Sequence, residues 1–187
     1  MSAPDCGMPG EQMLSADEAR AALVGAAKAV AGREMVRLES ALGRVLAEDV
    51  SSPLDVPGYD NSAMDGYVLN SADSCGDGCT LPVSQRIPAG HPGGELAPGT
   101  AARIFTGAPM PIGGDAVVMQ EECIAEGDTV RIGRKVSPGE NVRPRANDIA
   151  AGDCVLAAGS RLIPQAVGLL ASLGVAEVAV KRRVRVA

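Results

Sequence analysis

Aromatic residues are nearly missing from this 187-residue chain: it has no tryptophan, and Tyr59, Tyr67 and Phe105 are its only aromatic rings. Its core must therefore be aliphatic and rich in alanine, for which 46% hydrophobic residues supply the material. Three rings leave little for nucleobases to stack on, and a net charge of −6 opposes a phosphate backbone, so nucleic acid is excluded as a partner. Histidine is reduced to His91, which removes the base that a triad serine or cysteine would need. Cys75 and Cys79 invite a zinc reading, yet no second cysteine pair or histidine pair completes four ligands. The five cysteines, an odd number, read as reduced thiols of a cytoplasmic protein. No basic region precedes an apolar one near the start, so no secretory signal is expected. The most apolar late stretch, 166–180, holds Gly168, Gly174 and Glu177 and is shorter than the roughly 20 residues of a span, so no membrane is expected as a partner.

What the chain has in plenty is turn chemistry, with 23 glycines and 13 prolines. Residues 1–14 read as a disordered leader. Ser15 and Glu18 then have capping-box spacing, and Ala19, Ala22, Leu23, Ala26 and Val30 repeat with helical period up to Gly32. A short extended piece over 35–38 leads into a second expected helix over 41–47, which Pro53 and Pro57 forbid to continue. From 66 to 136 the pattern changes to short β-type runs, at 67–69, 81–87, 102–105, 116–119 and 129–132, separated by glycine-rich turns. A further strand is expected at 154–157, then a helix opening on Pro164 and closing at Gly174. The predicted fold is α+β: a mixed helix/strand lobe built from both ends of the chain, 15–52 plus 140–178, with its helices in one layer, and an inserted small β-barrel-like lobe over 53–139. Residues 178–187 alternate apolar and basic side chains as a strand would, and 179–187 are expected to begin a third domain of a longer protein.

Three segments carry chemistry. In 53–68, PLDVPGYDNSAMDGYV, the residues Asp60, Asn61, Ser62 and Asp65 bring two carboxylates, an amide and a hydroxyl together, a set suited to a hard cation such as Mg²⁺. Ser62 and Asp65 also have capping-box spacing, so both could simply start a helical turn. In 103–120, RIFTGAPMPIGGDAVVMQ, Thr106 and the glycine amide after it offer an oxyanion nest, or an ordinary strand-ending turn. In GENVRPRAND, Arg143, Arg145 and Asp148 combine anion-binding forks with a carboxylate, or form a solvated linker.

These three segments and GLLASLGVAEV, in this order and spacing, closely resemble the molybdopterin molybdenumtransferase family of the MoeA/gephyrin type, over about residues 15–187. The run PLDVPGYDNSAMDGY is the most specific of them. The resemblance implies the N-terminal domains I and II of a cytoplasmic, homodimeric enzyme of molybdenum cofactor biosynthesis. That enzyme inserts molybdate into adenylylated molybdopterin and releases AMP with Mg²⁺, and it would contact a molybdopterin adenylyltransferase. The resemblance also implies an active site shared with a further domain, so that this segment alone is inactive. It assigns catalytic roles to Asp65, which would also meet the Mg²⁺, to Thr106 as a contact to phosphate or molybdate, and to Asp148. Arg143 is assigned an anion contact, with Asn61 and Ser62 in support. Where the family often reads RRRGED, this chain reads RPRAND, so Pro144 and Asn147 reduce the charge of that strip. The alternative reading is a non-catalytic dimerisation or scaffolding module of a gephyrin-like protein.

Overall fold

A computed structural model describes residues 14–27 and 32–184. The expected leader up to residue 13, Val30 and the last three residues lie outside them. The elements, in chain order, are helix α1 (Ala16–Ala26), then strands β1 (Arg33–Arg37), β2 (Val50–Ser51), β3 (Asn61–Ser62), β4 (Gly66–Leu69), β5 (Cys79–Ile87), β6 (Ala101–Ile104), β7 (Ala116–Met119), β8 (Cys123–Glu126), β9 (Thr129–Ile132), β10 (Val142–Arg143) and β11 (Cys154–Leu156), then helix α2 (Pro164–Ser172) and strand β12 (Glu177–Lys181).

One core gathers both ends of the chain, with Leu38, Ala41, Leu46, Leu162, Leu170 and Val180 at its centre. β1 and β12 pair antiparallel across it. Arg44, itself buried, pairs with Glu34 and donates to the Lys181 carbonyl at 2.8 Å, fastening the two strands. The helix expected over 41–47 does not form. After a single 3₁₀ turn at Leu38–Ser40, Gly43 turns left-handed at φ 76°, and the backbone donors that follow pair with the end of the chain: Gly43 N–H with Leu162 O, Leu46 N–H with Ser160 O and Ala47 N–H with Ala179 O. Long-range pairing has overridden a local helical pattern.

The single helical layer also fails. α1 begins on the expected capping box, Ser15 with Glu18, but ends at Ala26 ahead of Gly32 and buries no residue, whereas α2 buries Ala166 and Leu170 in the core. Residues 179–181 belong to β12, with Ala179 and Val180 buried.

The middle of the chain forms a six-stranded sheet in the order β7-β4-β6-β5-β9-β8, antiparallel except for the β5–β6 pair. Both its faces are covered. Leu69, Ala101, Val118, Val130 and Ile132 pack on one, and Val68, Ala102, Ile104 and Val117 on the other, which is why runs such as AVVM are continuously apolar rather than alternating. The sheet curls, but β7 and β8 remain its two edges, so the expected barrel is only partly formed.

Between the first core and this sheet runs an irregular antiparallel ribbon that sequence patterning missed. β2 pairs with β11, Val56 bridges to Ile149, and β3 pairs with β10. The segment with Arg143, Arg145 and Asp148, for which a solvated linker was one of two readings, thus contributes a strand of this ribbon.

Candidate functional site

The ribbon brings the three chemistry-bearing segments together. Asn61–Ser62 lies between Val142–Arg143 on one side and residues 107–109 on the other. Ser62 N–H donates to Ala108 O at 3.0 Å, Gly107 N–H to Ser62 O at 2.8 Å, and Asn61 bridges to Pro109. Backbone pairing therefore fixes the first loop against the second. Gly66 permits the next step, since a Cβ there would stand 2.0 Å from the Val118 carbonyl oxygen.

Asp65 and Thr106 face each other across this junction, and both are exposed. Asp65 Oδ1 accepts the Thr106 N–H at 2.8 Å and the Thr106 hydroxyl at 2.9 Å. Those two bonds, backbone first, hold the Asp65 carboxyl below its ordinary range, with Arg103 adding a smaller attraction. Asp65 is therefore ionised at neutral pH. A carboxylate only accepts, so the Thr106 proton points at Asp65 and its oxygen turns lone pairs outward. Among the described residues, Asp65 Oδ2 has no hydrogen-bond partner. The exposed face of the pair is thus made of acceptors, which suits a cation or a donor better than a direct contact to phosphate. The helical turn that the Ser62 and Asp65 spacing allowed is absent, because β3 and β4 are extended and only a bend separates them.

The supporting residues behave differently. Ser62 is 1% exposed and donates its hydroxyl to Met64 O at 2.6 Å, and Asn61, 6% exposed, donates from Nδ2 to Tyr59 O at 3.3 Å. Both residues are buried in the ribbon, with these donors engaged by carbonyls two residues away. Arg143 and Asp148 are brought together, but with each other: they form an ion pair, and Asn147 donates to the second Asp148 oxygen at 2.9 Å. Both side chains are well exposed, so a pair of this kind is weak and opens cheaply. Asp60 and Asp65 of the first loop are used separately. Asp60 Oδ1 accepts the Arg145 N–H at 2.7 Å, while Asp65 holds Thr106. Among the described residues, no three His, Cys, Asp or Glu side chains gather as a metal site, and the carboxylates near this junction are Asp65 and Glu121, whose charges act on each other.

Two features escaped sequence reasoning. Asp55, 12% exposed, accepts the Ala151 N–H at 2.7 Å and pairs with Arg145, locking the ribbon across some ninety residues of chain. No local pattern marks such a partner. Beside Thr106, Phe105 carries Arg86 and Arg103 over its ring, each with its guanidinium carbon 4.6 Å from the centroid. The signal was available in principle, because a rare aromatic stood two residues from an arginine in a strand. Arg145 also borders a shallow groove of about 410 Å³ that includes Tyr59, Asp60, Met110 and Ile112.

Comparison with known proteins agrees with the motif resemblance. The family described as "MoeA N-terminal region (domain I and II)" matches residues 14–174. A molybdopterin molybdenumtransferase of Haemophilus influenzae is 40% identical over 176 residues, 93% of this chain and 43% of that protein. One of Nostoc is 46% identical over 159 residues, 82% of this chain and 36% of that protein. Among solved structures, the molybdopterin biosynthesis MoeA protein of Pyrococcus horikoshii OT3 superposes with a TM-score of 0.74 at 38% identity, covering 80% of this chain and 41% of that one. The chain thus spans less than half the length of these relatives. No helix among the described residues is long and apolar enough to cross a membrane.

Proposed function

The chain belongs to the MoeA N-terminal region family, and on that premise we propose that it supplies one wall of an active site that inserts molybdate into adenylylated molybdopterin and releases AMP. The observation that carries this reading is the meeting of two separate segments at one exposed, ionised pair, Asp65 with Thr106, while the third segment pairs with the adjoining Asn61–Ser62. A protein that needed these segments only as turns would have no reason to zip them together around an unburied carboxylate.

In this proposal Asp65 offers its second carboxylate oxygen to Mg²⁺, a hard cation that takes one or two carboxylates and fills its shell with water and phosphate oxygens. Mg²⁺ bound there would offset the charge of a phosphoanhydride. Thr106 acts on Asp65 itself: its two donors fix the carboxylate's orientation and keep it charged. Arg143 exchanges Asp148 for an incoming oxyanion, leaving Asp148 free to accept a proton or a hydrogen bond. The lobes 15–52 plus 140–178 and 53–139 correspond in this reading to the family's first two domains. The working protein is placed in the cytoplasm as a homodimer in contact with a molybdopterin adenylyltransferase, and the segment alone is expected to be inactive.

The test is AMP release by the full-length protein given adenylylated molybdopterin, molybdate and Mg²⁺. Asp65→Ala is expected to abolish it, and the 187-residue chain alone is expected to release none. Undiminished release by the variant would remove Asp65 from the chemistry.

A further inference from the structure

We propose that Arg86, stacked on Phe105 next to the Asp65–Thr106 pair, is a binding residue for a tetrahedral oxyanion. β5 and β6 run parallel and place Arg86 beside Arg103, and both guanidinium groups lie over the Phe105 ring. Adjacent strands are about 4.8 Å apart. Two like charges are therefore held side by side on one sheet face, an arrangement that destabilises unless something compensates it.

Arg103 is compensated. It donates to Gly66 O at 2.9 Å and to Gln120 Oε1, it stacks over Tyr67 as well, and the charges of Asp65 and Glu121 lie near it. Arg86 is exposed, and among the described residues its guanidinium forms no hydrogen bond and no ion pair, its recorded contact being the ring. A guanidinium stacked on an aromatic face is pre-oriented, with its planar fork of donors left free. Arg103, which shares the Phe105 ring with Arg86, is near enough to Asp65 for its charge to act on that carboxylate, so the free fork lies in the neighbourhood of the acceptor face. An oxyanion that reached Asp65 and Thr106 through a cation would still need donors, and Arg86 is the adjacent group with donors to spare. The inference rests on the proposed function only for the identity of the anion, phosphoryl or molybdate.

The test uses inorganic pyrophosphate and, separately, sodium molybdate, titrated into the 187-residue chain without turnover. The readings are the Arg86 Nε–Hε resonance by NMR and the thermal midpoint by circular dichroism. A saturable shift at Arg86 and a raised midpoint are expected. Arg86→Gln should weaken the affinity roughly 10- to 100-fold, the range for losing hydrogen bonds to a charged group. Without anion the same variant should melt no lower than the parent, because it removes a like-charge contact. Arg86→Lys, which keeps the charge and loses the fork, should fall between, and Phe105→Leu should weaken binding with Arg86 still present. A response to pyrophosphate alone assigns a phosphoryl group, and one to molybdate alone assigns the metal oxyanion. If neither anion saturates Arg86, or if Arg86→Gln binds as tightly as the parent and only melts lower, Arg86 is a stacking strut and the proposal is overturned. Because no product is formed, this result stands or falls apart from the AMP assay on Asp65.

Discussion

At the scale of single residues, the site is governed by the direction of one proton. Asp65 can only accept, so Thr106 spends both its N–H and its hydroxyl proton on Oδ1, and the carboxyl is held acidic by bonds rather than by burial. Thr106→Val removes the hydroxyl but leaves the backbone donor, which is the larger cause. The Asp65 pKa should then rise toward its ordinary value while staying below it, and Thr106→Ser should leave it where it is. A carboxyl ¹³C titration of the three proteins checks this, and an unchanged midpoint in Thr106→Val would show that the hydroxyl contributes nothing. Ser62 and Asn61 direct their donors to carbonyls two residues away, which helps shape the ribbon.

At the scale of elements, the two helices are unequal. α1 has its capping box and an acidic first turn, but Leu23 and Val24 are 74% and 70% exposed and no residue is buried, whereas α2 inserts Leu170 into the first core. Isolated helices of this length are marginal in water, and tertiary packing supplies most helical stability in proteins. Ala22→Pro should therefore remove the far-UV ellipticity of α1 while leaving the urea midpoint of the chain unchanged. A lowered midpoint would mean that α1 bears on the core after all. The ribbon shows the opposite balance. β2, β3, β10 and β11 are only two or three residues long, and they persist because side-chain ties such as Asp55 to Arg145 and Ala151, and Arg145 N–H to Asp60, cross between them.

For the whole molecule, those ties make stability depend on acid. Asp55 is held below the ordinary carboxylate range first by the Ala151 N–H and then by Arg145, Asp65 by Thr106, and Glu140 by Arg134. Each folded pKa is depressed, so the unfolded chain binds more protons and stability rises with pH across that window. The contribution is complete above the unfolded carboxylate values of about 4 and is lost as pH falls through the lower folded ones. The urea midpoint should be flat above about pH 5 and should decline toward pH 3, with salt screening the exposed Asp65 more than the largely covered Asp55. Asp55→Asn should flatten that decline, and a midpoint that rose on acidification would contradict the assignment of all three groups.

Local sequence determined much of this protein. Turn residues and apolar runs fixed all but one of the longer strands of the central sheet, along with the capping box of α1 and the start of α2 at Pro164. The motif spacing identified the family, and the residue types of the three segments marked Asp65 and Thr106 as candidates. These features depend on neighbours within a few positions, and a linear pattern records them. Only the tertiary structure decided that residues 41–47 abandon a helix to pair with the end of the chain, that Val142–Arg143 is a ribbon strand, that Asn61 and Ser62 are buried, that Asp148 is paired with Arg143, and that Arg86 stands beside Phe105. Apart from the Arg143–Asp148 pair, five residues apart, each of these rests on contacts between groups far apart in sequence, whose strength depends on geometry and burial that a string of residues does not carry.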